Sequence, residues 1–459
     1  MRLRKAELRG RVKGDLALRF TRPGLTSFAG LELVRRYFRQ LDLARRIRRH
    51  VGGTVPGTDY GVTGMVLLLL TLVMVGGRRV RHVSYLAGDP LVARLTGLTR
   101  LPAARTIGRW LGQVRTRHLR GLAALNAEFV AAAIERLGLK RLTIDVDGSV
   151  VSTGMTVAWA HRGYNPHRRK VPGYYPITAY EAQSGQILRV QNRPGNIHDG
   201  KASLGFLRAL FAQLATAFGG TRGLEFRMDG AVFRRDVLAL LEAQRAEYAI
   251  KVPFFAWTGL KRLVKAQRTW TSVSATVSCF EQALWLQPWQ RTLRVVIYRT
   301  RVQHETAKNF QLDLFDPADG HYEYSAVVTN KTLTGRYLWR FMCGRGGHEK
   351  AYGELKSGFA FASVPSRQYA ANSAWQLLSV LAFNLLRSFQ VAAGLTRRPG
   401  AAQRRPLFAF RSIQTLRYEL LHRAGLVLHP DGKPTLEVGT AAAVRKRFLA
   451  IDAHLPRAA

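Results

Sequence analysis

Acidic side chains are scarce in this chain: its 459 residues carry 29 Asp and Glu against 71 Lys and Arg, a formal charge of +42. The basic excess is spread along the sequence and not gathered in one arm, so a folded protein with a polyanionic partner is implied. Because those cations lie within folded-looking segments and not along one amphipathic helix, nucleic acid is favoured over a membrane surface. Cysteine is scarcer still. Cys279 and Cys343 are far apart and outside any Cys-x-x-Cys pair, which argues against a disulfide framework and a structural zinc site and leaves two buried thiols. Long apolar runs are missing too. The strongest, Met65 to Val75, has 11 residues between Gly64 and Gly76, well short of the roughly 20 a bilayer requires, and reads as a buried core helix. The N-terminal residues lack the apolar segment and cleavage site of a secretory signal, so a cytoplasmic, nucleoid-associated protein is expected, with no membrane partner. Neither a phosphate-binding glycine loop nor an internal repeat is present.

What is there is enough apolar material, 47% of residues, for a large core and two or three domains. From about 26 to 140 the apolar spacing is helical, which predicts an all-α N-terminal DNA-binding domain over 1–140. Within it, 89–118 has the outline of a helix-turn-helix. Asp89 caps a helix opened by Pro90, the chain turns at Gly97, and a second helix from about Pro102 exposes Arg105 and Arg109 while Ile107, Leu111 and Val114 face inward. A basic surface helix in a basic protein accounts for the same pattern. From 141 strands alternate with helices, giving an α/β core over 141–250 and 330–395. A strand-rich stretch interrupts it at 251–329, and a Pro/Gly/Arg linker leads to a helical C-terminal region over 396–459.

Three carboxylates stand out. In "LTIDVDGSV" Leu142, Ile144 and Val146 share one face, so Thr143, Asp145 and Asp147 share the other. In "LEFRMDGAVF" the same alternation ends on Asp229. Each of Asp147 and Asp229 could simply cap an Asp-Gly turn, yet two acids closing apolar strands of one α/β unit also suit a hard divalent cation. In "RGGHEKAYGELKSGF" helical spacing sets Arg345, Glu349, Tyr352 and Lys356 along one stripe. Glu354 lies off that stripe, four residues after Lys350, and reads as a surface ion pair. Glu349 is the candidate for chemistry, flanked by cations suited to phosphate.

Those residues resemble the DDE transposases of bacterial insertion sequences, in the group with a strand-rich insertion before the final glutamate. The resemblance runs from about 26 to 425. The group's Tyr-x2-Arg-x3-Glu-x6-Lys signature is matched by Arg345, Glu349 and Lys356. Its tyrosine slot falls on Met342, with Tyr337 and Phe341 nearby. "DVDGS" and "RMDGAVF" match the first two acids, so the resemblance implies a triad of Asp147, Asp229 and Glu349, with Asp145 and Asp199 as alternatives for the first two. "RGYNPHRRKVPGYYP", "NRPGNIHDG" and "VVTN" are also similar. His198 and Asn196 in the second of these could approach the site or stabilise a turn.

The resemblance implies an RNase H-like α/β catalytic core with a β-rich insertion, an all-α DNA-binding domain before it and a short helical region after it. It implies two Mg²⁺ ions held by the triad, with Mn²⁺ able to substitute, and Mg-dependent cleavage and strand transfer on double-stranded DNA, both transposon ends and target. A hairpin intermediate and a homodimer in the synaptic complex belong to the same expectation. Trp257, Trp270, Trp285 and Trp289 fall in the insertion. Trp270, Trp285 and Trp289 are candidates for stacking on DNA, against packing within the strands. Two other readings stay open: a DNA-binding protein without chemistry, and a metal-dependent nuclease without strand transfer.

Overall fold

The computed structural model describes residues 15–18, 23–53, 57–154, 156–163, 165, 168, 170–197, 199–219, 223–302, 322–396, 406–439 and 441–455. Six helices come first: α1 (Leu31–Gln40), α2 (Leu43–Ile47), α3 (Val62–Met74), α4 (Pro90–Thr96), α5 (Ala104–Gln113) and α6 (Thr116–Arg136). Helix α3 is apolar all round, so every side has to be covered, and residues 64–74 are buried. Asp89 caps α4 by accepting from the backbone N–H of Leu91 at 3.0 Å and Val92 at 3.1 Å, and the helix ends at Gly97 with φ 72°. On α5 the residues Ile107 and Leu111 are buried, as is Val114 just beyond it, while Arg105 and Arg109 are exposed.

The strands β1 (Arg141–Gly148), β2 (Ile177–Glu181), β3 (Gln186–Gln191), β4 (Gly223–Met228), β5 (Glu247–Val252), β6 (Thr271–Ser272), β7 (Val277–Leu286), β8 (Arg291–Arg301) and β9 (Tyr322–Thr329) form one sheet in the order β3-β2-β1-β4-β5-β9-β8-β7-β6. The pairs β1–β4 and β4–β5 are parallel, and the other pairs are antiparallel. The strands of the 251–329 stretch therefore continue the central sheet through β9 on β5. Helices α7 (Asp199–Phe218) and α8 (Arg235–Ala243) bury Phe206, Leu210, Val237 and Leu241 against Leu142, Ile144 and Val146 on one face. Helices α9 (Leu260–Ala266), α10 (Gly335–Cys343), α11 (Gly346–Gly358) and α12 (Tyr369–Ala392) follow, and near the end come the short α13 (Ile413–Leu416) and α14 (Ala442–His454). The opposite face of the sheet is covered by α10, α11 and α12. Helix α12 is buried along nearly its whole length and shares one core with α1, α3 and α6, so no break in packing marks residue 140.

Three expectations are corrected. The C-terminal region is not purely helical, because Gly425–Leu428 and Thr435–Val438 form a hairpin that also pairs with Leu25–Thr26. Its turn carries Asp431 at φ 50° and Gly432 at φ 73°, the left-handed pair that Asp-Gly favours in tight hairpins. Cys343, at the end of α10, is exposed, whereas Cys279 is buried as expected. Glu354 is not a surface partner of Lys350. It faces inward, accepting from Arg387 at 3.1 Å and from the backbone N–H of Ile413 at 2.7 Å, because α12 and the C-terminal segment pack against that side of α11.

Candidate active site

The parallel strands β1 and β4 run in register, with Thr143 opposite Glu225, Asp145 opposite Arg227 and Val146 opposite Met228. One step further out, Asp147 and Asp229 end the two strands side by side. Each carboxylate turns one oxygen onto the glycine that follows, Gly148 N–H at 2.9 Å and Gly230 N–H at 2.7 Å, so the turn-capping role is real. It does not use up the carboxylates. Arg345, at the start of α11, reaches Oδ2 of Asp147 at 3.3 Å with one guanidinium nitrogen and lies 3.9 Å from Oδ1 of Asp229 with the other. The side chain of Asp229 is 52% exposed and that of Asp147 27%, which leaves both open to solvent at the sheet rim.

Helix α11 lies over this rim. Tyr352 donates to the carbonyl oxygens of Asp147 at 3.3 Å and Pro176 at 3.2 Å, and Lys356 donates to Ser149 Oγ. Burial lowers the Lys356 pKa, opposed by the Asp147 charge. Glu349 sits one turn after Arg345 and is exposed. Its negative charge adds to the burial that pushes the Asp145 carboxyl up, against the pull of Arg227. The predicted stripe thus exists, with Arg345, Tyr352 and Lys356 turned to β1 and Glu349 at the solvent edge. Met342, in the tyrosine slot, is buried with Leu338 and Phe341; Tyr337 is exposed.

Beneath the rim lies a buried polar layer that alternation alone did not reveal. Arg227 donates to both oxygens of Asp145, at 2.6 and 2.8 Å, and to the Phe341 carbonyl at 2.8 Å. Asp145 is therefore committed to an internal pair and is not a rim ligand. Lys331 bridges Glu225 at 2.8 Å and Glu247 at 2.7 Å, and Thr143 donates to Glu225. His348, next to Glu349, is sandwiched between the rings of Tyr180 at 5.3 Å and Tyr352 at 5.0 Å. Its Nε2 meets the Thr178 hydroxyl at 2.7 Å, and burial pulls its pKa down to about 3. A neutral ring packed this way orients the first turn of α11. Glu181, fully buried, accepts from the backbone of Gln183 and Ser184 at 2.8 and 2.6 Å, and burial raises its pKa to about 7. The one sequence signal for this layer was polar side chains recurring at every second position of both strands, Thr143 and Asp145 in one and Glu225 and Arg227 in the other.

The tryptophans divide. Trp270 stands edge-on to Phe280 at 4.8 Å beneath the Arg299 guanidinium at 4.5 Å, which is packing within the sheet. Trp285 is exposed, its indole N–H donating to Gln287 at 3.0 Å. Trp289 and Trp257 gather with Phe233 and Phe255 in a partly exposed aromatic cluster, joined to the site by the short segment from Asp229 to Phe233. Asp199 opens α7 on the far face of the sheet from α11, and its side chain is outside the described set, as is all of His198; Asn196 is exposed. Arg105 and Arg109 lie on α5, on a different element from the carboxylates.

Oxygen donors of this kind suit a hard divalent cation, and one guanidinium already stands between Asp147 and Asp229 where a cation would be attracted. Among the described residues no three His, Cys, Asp or Glu side chains converge as a ready-made metal cluster. No helix among them is long and apolar enough to cross a membrane.

The model for transposase DDE domain group 1 matches residues 12–459. No curated protein matches the chain in sequence. Among solved structures, the chain is similar to a piggyBac transposase synaptic complex with hairpin DNA, at 10% identity and TM-score 0.43 over 94% of this chain and 86% of that one. It is also similar to the catalytic domain of Mos1 mariner transposase, at 10% identity and TM-score 0.19 over 54% and 96% of the two chains. Argonaute of Marinitoga piezophila gives 10% identity and TM-score 0.20 over 52% and 31%. At these scores the overlaps are partial, and it is the match along nearly the whole sequence that carries weight.

Proposed function

The chain belongs to the transposase DDE domain group 1 family, a family of polynucleotidyl transferases, and on that footing we propose that it is the DNA transposase of an insertion sequence, working through Asp147, Asp229 and Glu349. The observation that carries this reading is the shared guanidinium, 3.3 Å from Asp147 and 3.9 Å from Asp229: two strand-end carboxylates are aimed at one cation. The order β3-β2-β1-β4-β5 with β1, β4 and β5 parallel supports an RNase H-like core over 141–250 and 330–395. In this reading 1–140 is the DNA-binding region, with α4 and α5 as its helix-turn-helix, 251–329 the insertion and 396–459 the C-terminal region.

Asp147, Asp229 and Glu349 would hold the divalent cations, two Mg²⁺ with Mn²⁺ as substitute. When bound, such ions activate an attacking oxygen and stabilise a leaving one at phosphorus. Arg345 and Lys356 grip the phosphates flanking the scissile bond. Tyr352 holds α11 to β1, so that Glu349 stays over the rim. Water attacks at the element end and the P–O3′ bond breaks; the freed 3′-hydroxyl then attacks a target phosphodiester, whose own P–O3′ bond breaks to release a target 3′-hydroxyl. Arg105 and Arg109 engage the terminal repeat, and Trp285 and Trp289 are the stacking candidates if the DNA end closes into a hairpin. Trp270 is already engaged by Phe280 and the Arg299 guanidinium. Because two ends must be joined to one target, a homodimer is the working assembly, and the protein acts at the nucleoid.

The test is cleavage and joining of a labelled duplex carrying the element's flanking ends, with Mg²⁺ and then Mn²⁺. Wild type and Glu354→Gln should cut and join while Glu349→Gln binds the ends and does neither. Cut ends that never join would favour a nuclease. Wild type that binds without cutting under both metals would overturn the catalytic reading, and a doubled product on a denaturing gel would report the hairpin.

A further inference from the structure

The segment between β1 and β2 contains a second candidate contact with DNA. Past Asp147 the chain leaving β1 and the chain entering β2 do not close into a turn at once. Val151–Ser152 pairs with Gly173–Tyr174, and Thr153 N–H donates to the Pro172 carbonyl at 2.9 Å, extending the ribbon beyond the sheet. Ser152 lies five residue steps beyond Asp147, at most about 17 Å of strand. Trp159 sits in the excursion beyond. The residue is 61% exposed and its backbone is left-handed, φ 64°, a conformation that is costly for a bulky side chain and that recurs at functional positions.

The strained loop is braced. Ala158 N–H donates to the Arg367 carbonyl at 2.9 Å, Tyr174 OH donates to the Ala158 carbonyl at 2.7 Å, and His161 and Gly173 exchange two backbone bonds of 3.1 Å. Two glycines permit the crossing of three backbones. A Cβ on Gly163 would lie 1.9 Å from the Gly195 carbonyl oxygen, and one on Gly195 would lie 2.2 Å from that of Gly173. The indole meets its neighbours His161 and Tyr369 only at steep angles, with ring centroids 6.3 and 6.5 Å away. A rigid base thus holds out a large apolar ring.

The surroundings carry charge of one sign. Between Asp147 and Glu181 the sequence has no acidic residue, and Arg162, Arg168, Lys170 and Arg367 are exposed. On the other side Gln368 accepts from Arg115 at 3.3 Å, which connects this surface to the end of α5, the helix bearing Arg105 and Arg109.

We propose that Trp159 stacks on a DNA base flanking the cut, between the footprint of α5 and the carboxylate rim. This rests on the transposase reading. A base offers a flat apolar face whatever its identity, and a basic surface holds the adjoining phosphates.

The experiment uses the full chain and a duplex carrying the element's flanking end, with 2-aminopurine moved through the five positions on each side of the cut. Wild type should perturb the fluorescence at one or two positions. Trp159→Gly, which adopts this φ without strain, should melt no lower than wild type, lose that signal and bind the end about tenfold more weakly at matched salt; Trp159→Phe should keep most of both. If Trp159→Gly matches wild type in signal and affinity while wild type cuts, the stacking assignment falls and the transposase reading stands. If it instead changes the sedimentation of the free protein and leaves the fluorescence pattern intact, the ring contacts another copy and the proposal is wrong. If wild type does not distinguish the end duplex from an unrelated one, the transposase reading fails and this inference fails with it.

Discussion

Asp145 and Asp147 are two residues apart on the same face of β1, yet they occupy opposite electrostatic regions. The inner region, with Asp145–Arg227 and Glu225–Lys331, is buried, and each carboxylate has an internal cation. The rim region, with Asp147 and Asp229, is part-exposed and shares one guanidinium between two acids. In the interior an unpaired charge is costly, so neutralisation by the protein itself is required. At the rim solvent screens the acids, and a carboxylate can remain available to an external cation. Depth, not residue type, separates the acid paired inside the protein from the one left open to an external cation.

Substitution should break this contrast in opposite ways. Asp147→Asn should reduce cleavage by roughly 10³-fold or more and leave the urea unfolding midpoint close to wild type. Loss of folding with cleavage would remove the distinction. Asp145→Asn leaves Arg227 without its charge partner and should cost about 3–5 kcal/mol of stability, read as a drop in the urea midpoint. Replacing the pair together, Asp145→Leu with Arg227→Met, should recover much of that loss if the layer is structural.

Glu181 extends the inner region and gives it a pH signature. Its folded pKa of about 7 lies above the ordinary 4.5, so the folded state holds the proton more tightly than the unfolded chain. That contribution is complete below the ordinary value and is lost as pH rises through 7. Over this window the difference amounts to something on the order of 3 kcal/mol. Melting curves of Glu181→Gln should therefore fall less steeply with rising pH than those of wild type; parallel curves would contradict the assignment. The smallest effect is expected at the boundary between the regions. Arg345→Ala should weaken end binding about tenfold and enlarge the thermal shift produced by Mg²⁺, because the guanidinium no longer competes for the two carboxylates.

Much of this was legible before folding. Alternation in "LTIDVDGSV" and "LEFRMDGAVF" separated the apolar faces, and Asp89, Pro90 and Gly97 marked the limits of α4. The spacing from Arg345 to Lys356 aligned the side chains that meet β1. Other features were not legible, because their partners are distant in sequence. Glu354 looked like the partner of Lys350 until Arg387 and Ile413 were packed beside it. The hairpin at Asp431–Gly432 had a local turn signal, but its third strand, Leu25–Thr26, lies at the other end of the chain. His348 was an ordinary helix residue until Tyr180 and Tyr352 enclosed it.

The sequence by itself determined the sign of the surface, the strand faces, the two acids at strand ends and the glutamate between two cations, because each follows from composition or from a period of two or 3.6 residues. Only the tertiary structure decided which acids are neutralised, since that depends on whether a distant Arg or Lys is brought to bonding distance. It also decided that the strands from β6 to β9 join the central sheet and that Trp159 is held out on a strained loop. Backbone pairing and burial are long-range quantities, and no local period in the chain encodes them.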